Sequence, residues 1–587
     1  MRIEETFAQP PPEEGHPFAD DLVLPALFER LLPQEHRDEI CQDLMQFGTK
    51  LVKDIRPLRH VTHEPKLTQY DHWGTRVDRL ETSEGWRALT EVCIREGIVA
   101  LSYQRKHGEF SRLHAFAKNM LLTGDGHEVL CPFAMTDGAA RVLELFGTPE
   151  MKKDYLSKLV SFEPHSAFTS GQWMTEKTGG SDVSRSETVA QCVTQASGDP
   201  GPAYKLNGFK WFSSAAEGHM AVALARTESE TTASGARGLS LFLVPLRTDR
   251  YPTPLSNGVR IHRLKQKFGT KALPTAELSL DDARGFLIGA RGRGIPTIVP
   301  VLNITRLYSA IGSVGQLRRG LSIAVGFARV RAINQGRTLL KDTPLHVAAL
   351  ARAALVYRAL IHLNMHVVHL LGKTECGTAS PSEAARLRFL TPVAKSFSAD
   401  RAAEQLSNCM VALGGQGYME ETEIARLIRD QLVERVWEGT GAVLATDLLR
   451  AAGGDDQPLT HWITWVRGVI HKSKLAVTSA SQTATARLDE LVGSLAASFG
   501  SSRGNPLLAP ALLDAVGYAT AGVLLLEHAA WSQSSMTSQS SVDCVAFERW
   551  ILEELPRAAA LTSEDILASR IATDQAFVFG GTIPARL

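Results

Sequence analysis

The chain reads as a mostly helical α+β protein, and two observations carry that reading. Long stretches of helical hydrophobic periodicity occupy both ends of the sequence, while an interior segment switches to short alternating apolar runs typical of strands. With 587 residues the chain is too long for one hydrophobic core, so several domains are expected. The changes of pattern divide it into a helical segment 1–168, a β segment 169–290, a second helical segment 291–453 and an additional helical region 454–587.

In the first segment, Pro10-Pro11-Pro12 and Gly15-His16-Pro17 form an irregular lead-in. Beyond it Leu22, Leu24, Leu27, Phe28, Leu31 and Leu32 recur at helical spacing, and residues 20 to 168 read mostly as helix. Thr148-Pro149-Glu150 is a helix start, with Thr as cap and Pro at the first helical position. In the β segment, Tyr204 to Trp211 alternates around Asn207-Gly208, which reads as a hairpin turn. Ala276 to Leu280 alternates as well, Leu239 to Val244 is a short apolar run, and the Ser/Thr/Gly-rich stretch Glu228 to Gly238 is a loop. Gly289, Gly292 and Gly294 make a GxxGxG, but no βαβ unit surrounds them, so a hinge loop is expected and not a dinucleotide site. Helical patterns then run from about Ile304 to Arg331, onward from Pro344, and from Pro381 to Leu413, as in a bundle of long antiparallel helices. After Gly453 to Pro458 the sequence stays mainly helical, with Ser532 to Ser541 as a loop.

Composition narrows the function classes. Hydrophobic residues make up 44% and charged residues 21%, and Lys+Arg balances Asp+Glu at 63 each. That leaves no basic field for nucleic acid or an anionic membrane surface. The last region is acidic: residues 455–587 hold nine Lys and Arg against thirteen Asp and Glu, which disfavours contact with phosphates. Seven scattered cysteines without a CxxC pair argue for reduced thiols, with no disulfide framework and no metal site. No run of 18 apolar residues is present, so no membrane span is expected. The acidic start Met1 to Thr6 lacks a signal-peptide core. The final Ala585-Arg586-Leu587 has the small-basic-leucine form of a peroxisomal address, the alternative being a chance tail on a cytoplasmic protein.

Three clusters carry the chemistry. Trp437-Glu438-Gly439-Thr440 follows Leu413-Gly414-Gly415-Gln416-Gly417-Tyr418 and precedes an apolar helix pattern. By itself a Glu before Gly-Thr is an ordinary solvated helix start. Far upstream lies Met174-Thr175-Glu176-Lys177-Thr178-Gly179-Gly180-Ser181-Asp182-Val183, followed by Lys210-Trp211-Phe212-Ser213-Ser214. In this order the clusters resemble the acyl-CoA dehydrogenase family of flavoenzymes, and most of all its AidB-like branch, which carries extra sequence after the dehydrogenase core. The resemblance spans roughly residues 20–452. It implies the acyl-CoA dehydrogenase fold: an N-terminal helical domain, a central β-barrel-like domain and a C-terminal four-helix bundle, here followed by an extra helical region shared only with that branch.

The resemblance also implies a cofactor, FAD, and a reaction, α,β-dehydrogenation of an acyl-CoA thioester. Glu438 would be the base that abstracts the α-proton, in apolar surroundings that include Trp437 and raise its pKa, with flavin N5 as hydride acceptor. Cofactor contacts are expected from Met174, Thr175, Ser181, Trp211, Ser213, Arg331, Gly414, Gly415 and Thr440, and substrate contacts from Ser181, Arg306 and Gly439. The isovaleryl branch takes its base from the position that Thr305 occupies here, and threonine cannot serve. Arg331 competes with Arg337 for the pyrophosphate, because the segment after Arg331 is a residue longer than the family pattern. Lys267 to Glu277 matches a fold-diagnostic strand pair. Flavin sites shared between subunits imply a homodimer or homotetramer. The electron acceptor, electron-transfer flavoprotein or O₂, stays open. So do an O₂-using oxidase, a low-turnover acyl-CoA-binding or regulatory flavoprotein, and a biosynthetic desaturase acting on a non-CoA substrate. Nitroalkane oxidation is disfavoured because that activity uses Asp where Glu438 stands.

Overall fold

A computed structural model of the chain describes residues 10–227, 235–247, 254–453, 457–473, 479–501 and 506–555, with positions 574, 577 and 578. Most of the loop expected at Glu228 to Gly238, and the terminal Ala585-Arg586-Leu587, lie outside the described residues. The chain forms two compact units. One comprises Met1–Tyr357, Asn364–Thr378 and Ser398–Gly439; the other comprises Arg358–Leu363, Ala379–Phe397 and Thr440–Leu587.

The first unit begins with α1 (Leu24–Leu31) and α2 (Gln34–Lys50). A two-stranded hairpin follows, β1 (Lys66–Tyr70) with β2 (Arg76–Glu81), where the sequence reading expected helix. Its strands are short and largely exposed, so no apolar alternation marks them. The turn is held by Asp71, whose carboxylate accepts from Trp73 N at 2.8 Å and Thr75 N at 2.9 Å. Next come α3 (Glu84–Arg95), capped by the Ser83 hydroxyl, α4 (Ala100–Gln104), α5 (Ser111–Thr123) and α6 (Leu130–Phe146). The expected start at Thr148 is present: its hydroxyl accepts from Met151 N, and α7 (Pro149–Met151) and α8 (Ser157–Leu159) follow.

The β segment supplies β3 (Ser170–Trp173), β4 (Val189–Cys192), β5 (Ala203–Ser214), β6 (Met220–Thr227), β7 (Leu239–Pro245), β8 (Val259–Leu264) and β9 (Thr275–Ile288). Pairing runs β4–β5–β9–β7–β6 and back to β4, closing a barrel, with β3 added beside β6 and β8 beside β9. Closure leaves none of these five strands with an open edge. Asn207-Gly208 is not a hairpin turn; it lies inside the continuous strand β5, at a bulge between Leu206↔Ala283 and Gly208↔Leu280. Asn207 exchanges hydrogen bonds with Asp282 on β9, and Gly208 is there for close approach, since a Cβ on it would sit 2.7 Å from the Cα of Thr188. In β9 the polar member of the Ala276 to Leu280 alternation is buried too: Glu277 is paired with Lys265 and Arg263.

After the Gly289/Gly292 loop, α9 (Gly294–Val330) starts ten residues before the hydrophobic pattern marks it. It packs on α5, α6 and β7 and is buried on nearly every face. Arg112 of α5 is buried between Asp137 of α6 and Glu375, with Tyr308 of α9 also donating to Asp137. A small hairpin, β10 (Ala332–Ile333) with β11 (Thr338–Leu339), leads to α10 (Pro344–Cys376) and α11 (Pro381–Ala412), and then α12 (Ile424–Glu434).

The second unit contains α13 (Gly441–Ala452), α14 (Pro458–Ser473), α15 (Ser479–Ser501), α16 (Ala509–Ser534) and α17 (Ser540–Arg549) around the buried α16. Phe397 packs against Gly517, and Trp462 Nε1 donates to Thr520 Oγ1 at 3.0 Å. The loop expected at Ser532 to Ser541 shrinks to the few residues between α16 and α17. The expectation about membrane spans needs a correction. Among the described residues, Pro344–Cys376 and Ala509–Ser534 are each long and apolar enough to cross a membrane, because a window with interspersed small or polar residues passes where an unbroken apolar run does not. The apolar window of Ala509–Ser534 is 83% buried, as in a core helix, and that of Pro344–Cys376 is 39% buried.

Gly208→Ala forces the new methyl into the Thr188 backbone and should destabilise the protein by about 1–3 kcal/mol, read as a lower midpoint in chemical denaturation. Wild-type stability in this variant would show that the two segments can separate freely.

Candidate active site

Glu438 lies beyond the end of α12, two residues before Thr440, which caps α13. Its backbone is left-handed, at φ +55°, an uncommon conformation for a residue with a Cβ. Its side chain is held from α9, where the buried Thr305 hydroxyl donates to Glu438 Oε2 at 2.5 Å. The next residue, Arg306, directs its Nε to the Glu438 carbonyl at 3.4 Å. The position that is excluded as a base thus becomes the group that holds the Glu438 carboxylate.

One helical turn along α9, Ser309 Oγ donates to Glu434 Oε2, which also accepts from Trp437 Nε1. Gly269 and Thr270 dock the barrel segment on α12: Thr270 N donates to Asp430 Oδ1 at 2.6 Å, and Gly269 lies against the Arg429 carbonyl. Burial pulls the Lys267 ammonium down to about 8. Burial and the nearby Glu128 raise the Cys131 thiol well above its ordinary value, with Lys267 opposing and Glu438 and Glu434 adding to the rise. Glu128, bonded by Gln316 of α9 at 2.6 Å, is pushed well above the carboxylate range by burial and by the charges of Asp430 and Glu434.

The second and third clusters meet at the barrel. Trp211 N donates to the Thr175 carbonyl at 3.0 Å, joining the Met174–Val183 loop to β5. Glu176 anchors that loop inside the barrel: Lys210 Nζ donates to it at 2.7 Å, Thr188 Oγ1 at 2.6 Å and Glu187 N at 2.5 Å. Met174, Thr175 and Trp211 are half-buried and Ser181 is exposed. Gly180 faces the Thr175 hydroxyl, which a Cβ would approach to 2.9 Å. Ser213 is 1% exposed and its Oγ has no partner among the described residues. Lys265 Nζ sits 3.2 Å from the Trp211 ring centroid.

Of the remaining expected residues, all but Gly439 lie away from Glu438 in the chain. Arg331 ends α9 at the base of the β10/β11 hairpin, and Arg337 stands in the exposed turn. Gly414 and Gly415 begin an exposed helical turn where an added Cβ meets nothing within 4 Å. Gly439 adopts φ +109° beside Glu438. Sequence reading missed Thr305 as a partner of Glu438, and missed Ser309, Glu434, Glu128 and Cys131. The available signal was a polar residue on successive turns of an otherwise apolar helix: Thr305, Ser309, Ser313 and Gln316.

The barrel between helical segments, with an acid beside it at the end of α12, defines the acyl-CoA dehydrogenase fold, and comparison with known proteins agrees. Residues 8–163 match the adaptive response protein AidB N-terminal domain, residues 171–283 the acyl-CoA dehydrogenase middle domain, and residues 292–453 the acyl-CoA dehydrogenase C-terminal domain. Acyl-CoA dehydrogenase family member 11 of Caenorhabditis elegans is 36% identical over 98% of this chain and 93% of its own length. The putative acyl-CoA dehydrogenase AidB of Escherichia coli is 31% identical over 69% of this chain and 72% of its own. The crystal structure of Caenorhabditis elegans ACDH-11 in complex with C11-CoA superimposes with a TM-score of 0.91 at 33% identity, covering 99% of both chains. An acyl-CoA dehydrogenase from Bacillus anthracis complexed with FAD shares the fold at a TM-score of 0.68 and 18% identity. The chain belongs to the acyl-CoA dehydrogenase family, as an AidB-like member, and is an oxidoreductase.

Burial works to raise the Glu176 carboxyl, but the charge and hydrogen bond of Lys210 prevail and hold it below the usual carboxylate value of 4.5. Its stabilising contribution is therefore present above pH 4.5 and is lost as pH falls through the lowered value. Glu176→Gln leaves the Lys210 ammonium buried without its counter-charge and should cost about 3–5 kcal/mol near neutral pH, the deficit shrinking in acid. Denaturation midpoints of both proteins across pH 3–7 check this; a pH-independent difference would contradict it.

Proposed function

We propose that this protein binds FAD and catalyses α,β-dehydrogenation of an acyl-CoA thioester with Glu438 as base. The observation that carries the reading is the placement of Glu438: a carboxylate in a strained backbone conformation, gripped by Thr305 from the neighbouring helix. Strain of this kind persists where the surrounding structure over-determines it, commonly at sites that must aim a group. Glu438 would accept the α-proton, and the fixed hydroxyl of Thr305 would keep the carboxylate aimed in both protonation states. Bound flavin supplies the hydride acceptor at N5. Ser213 Oγ and the Thr175 hydroxyl fit the isoalloxazine edge, Ser181 the pyrophosphate, and Trp211 one face of the ring. The C11-CoA complex of the worm relative supports an acyl-CoA substrate of medium chain length. Gly414 and Gly415, exposed beside Val411, Tyr418 and Met419, support a subunit contact that completes the cofactor site, hence a homodimer or homotetramer. Ala585-Arg586-Leu587 supports peroxisomal import, checked by deleting Leu587 from a tagged protein, which should then stay in the cytosol.

The deciding experiment is anaerobic titration of the purified flavoprotein with acyl-CoAs of graded length. The wild type should bleach. Glu438→Gln should keep its FAD yet lose bleaching by a factor on the order of 10³ or more. Bleaching at the wild-type rate in that variant would refute the assignment. Ser213→Ala should retain the fold and hold FAD more weakly, read from the cofactor-to-protein absorbance ratio; an unchanged ratio would remove Ser213 from the cofactor site.

A further inference from the structure

We infer that Glu434, with Ser309, is a positioning pair that fixes the Trp437-Glu438 segment for proton abstraction. The inference rests on the reading of Glu438 as the base. Glu434 is 2% exposed at the last turn of α12. Its Oε2 accepts both the Ser309 hydroxyl and the Trp437 indole N–H, each at 2.5 Å. Its Oε1 lies against α9 at Gly312, where a Cβ would come within 3.0 Å of it. The carboxylate therefore fills a notch in α9 that only glycine leaves open. A buried carboxylate is costly unless its oxygens find donors, and here Oε2 takes one from each side of the junction.

The geometry makes a two-point clamp. Thr305 and Ser309 lie one turn apart on α9; Glu438 and Glu434 lie four residues apart on the facing chain, and each hydroxyl donates to one carboxylate. The outer point holds the proposed base directly. The inner point holds the indole of the residue just before it, and Trp437 N also closes the last turn of α12 on the Val433 carbonyl at 3.0 Å. With Trp437 pinned at both its backbone and its ring, the left-handed Glu438 has a rigid foundation. Deeper along α9, Gln431 Nε2 donates to Ser313 Oγ, which donates to the Ser309 carbonyl, so the inner point is itself braced.

The role is geometric, so it should follow hydrogen-bond acceptance and not charge. A glutamine amide oxygen can accept both donors; alanine cannot. Glu434→Ala should keep FAD and bind acyl-CoA with a near-wild-type KM, yet reduce its flavin 10- to 100-fold more slowly, on the order expected for a misplaced catalytic group. Glu434→Gln should restore the rate to within about threefold of wild type. Should Glu434→Ala fail to fold, Ser309→Ala removes one donor without opening a cavity, and it should slow reduction with FAD content unchanged and only a small fall in melting temperature. A wild-type reduction rate in Glu434→Ala, or in Ser309→Ala where the alanine at 434 does not fold, overturns the inference. An equal loss in Glu434→Gln and Glu434→Ala overturns it as well, since charge would then be what matters. Glu438→Gln run alongside separates the two readings: if it bleaches like wild type, the base assignment fails. If it is silent while the 434 variants are fast, only the positioning role fails.

Discussion

The structure depends on helix α9 being a rigid wall to which the Glu438 segment and the end of α12 are fastened. It runs for 37 residues, buried on almost all sides, from the barrel side to the β10/β11 hairpin. An apolar helix of that length is placed by packing, but one turn after another it also presents a hydroxyl or amide: Thr305, Ser309, Ser313, Gln316. Inside a low-dielectric core such groups call for partners, and each makes a hydrogen bond to α12, the Glu438 segment or Glu128. Directional bonds inside an otherwise greasy contact fix rotation and register, which hydrophobic burial alone leaves loose.

The same logic recurs at the barrel. Glu176 and Lys210 form an ion pair in which the lysine is fully buried, and the cost of taking both charges out of water is met by hydrogen bonds from Glu187 N and Thr188 Oγ1 to Glu176 and from Lys210 Nζ to the Leu224 carbonyl. The loop carrying Met174, Thr175, Gly179 and Gly180 is held at its root and left open at its tip. Ser213 is the counterpart, a buried hydroxyl held back from the protein's own network.

Much of this was legible along the chain. The long helices, the barrel segment, the cap at Thr148 and the Glu438 and Met174 clusters follow from local periodicity and from residue types at fixed spacing, both of which a linear sequence records. The hairpin at β1/β2 was not legible, because its strands are short and only Asp78 and Leu80 of β2 are buried. Asn207-Gly208 misled because the glycine serves a steric need set by Thr188, which no local pattern encodes. The two long apolar helices are not legible as candidate spans because small and polar residues interrupt them, and of the two only Ala509–Ser534 is mostly buried.

By itself the sequence determined the order of elements, the family and the chemical identity of the acid at 438. Tertiary structure alone decided that Thr305 grips that acid, that Glu434 fits the Gly312 notch and pins Trp437, and that Ser213 is buried with its hydroxyl unmet. The physical reason is range. Propensity, patterning and capping act within a few residues, whereas these contacts join positions more than a hundred residues apart, and only the packing of helix on helix and strand on strand brings their donors and acceptors within bonding distance.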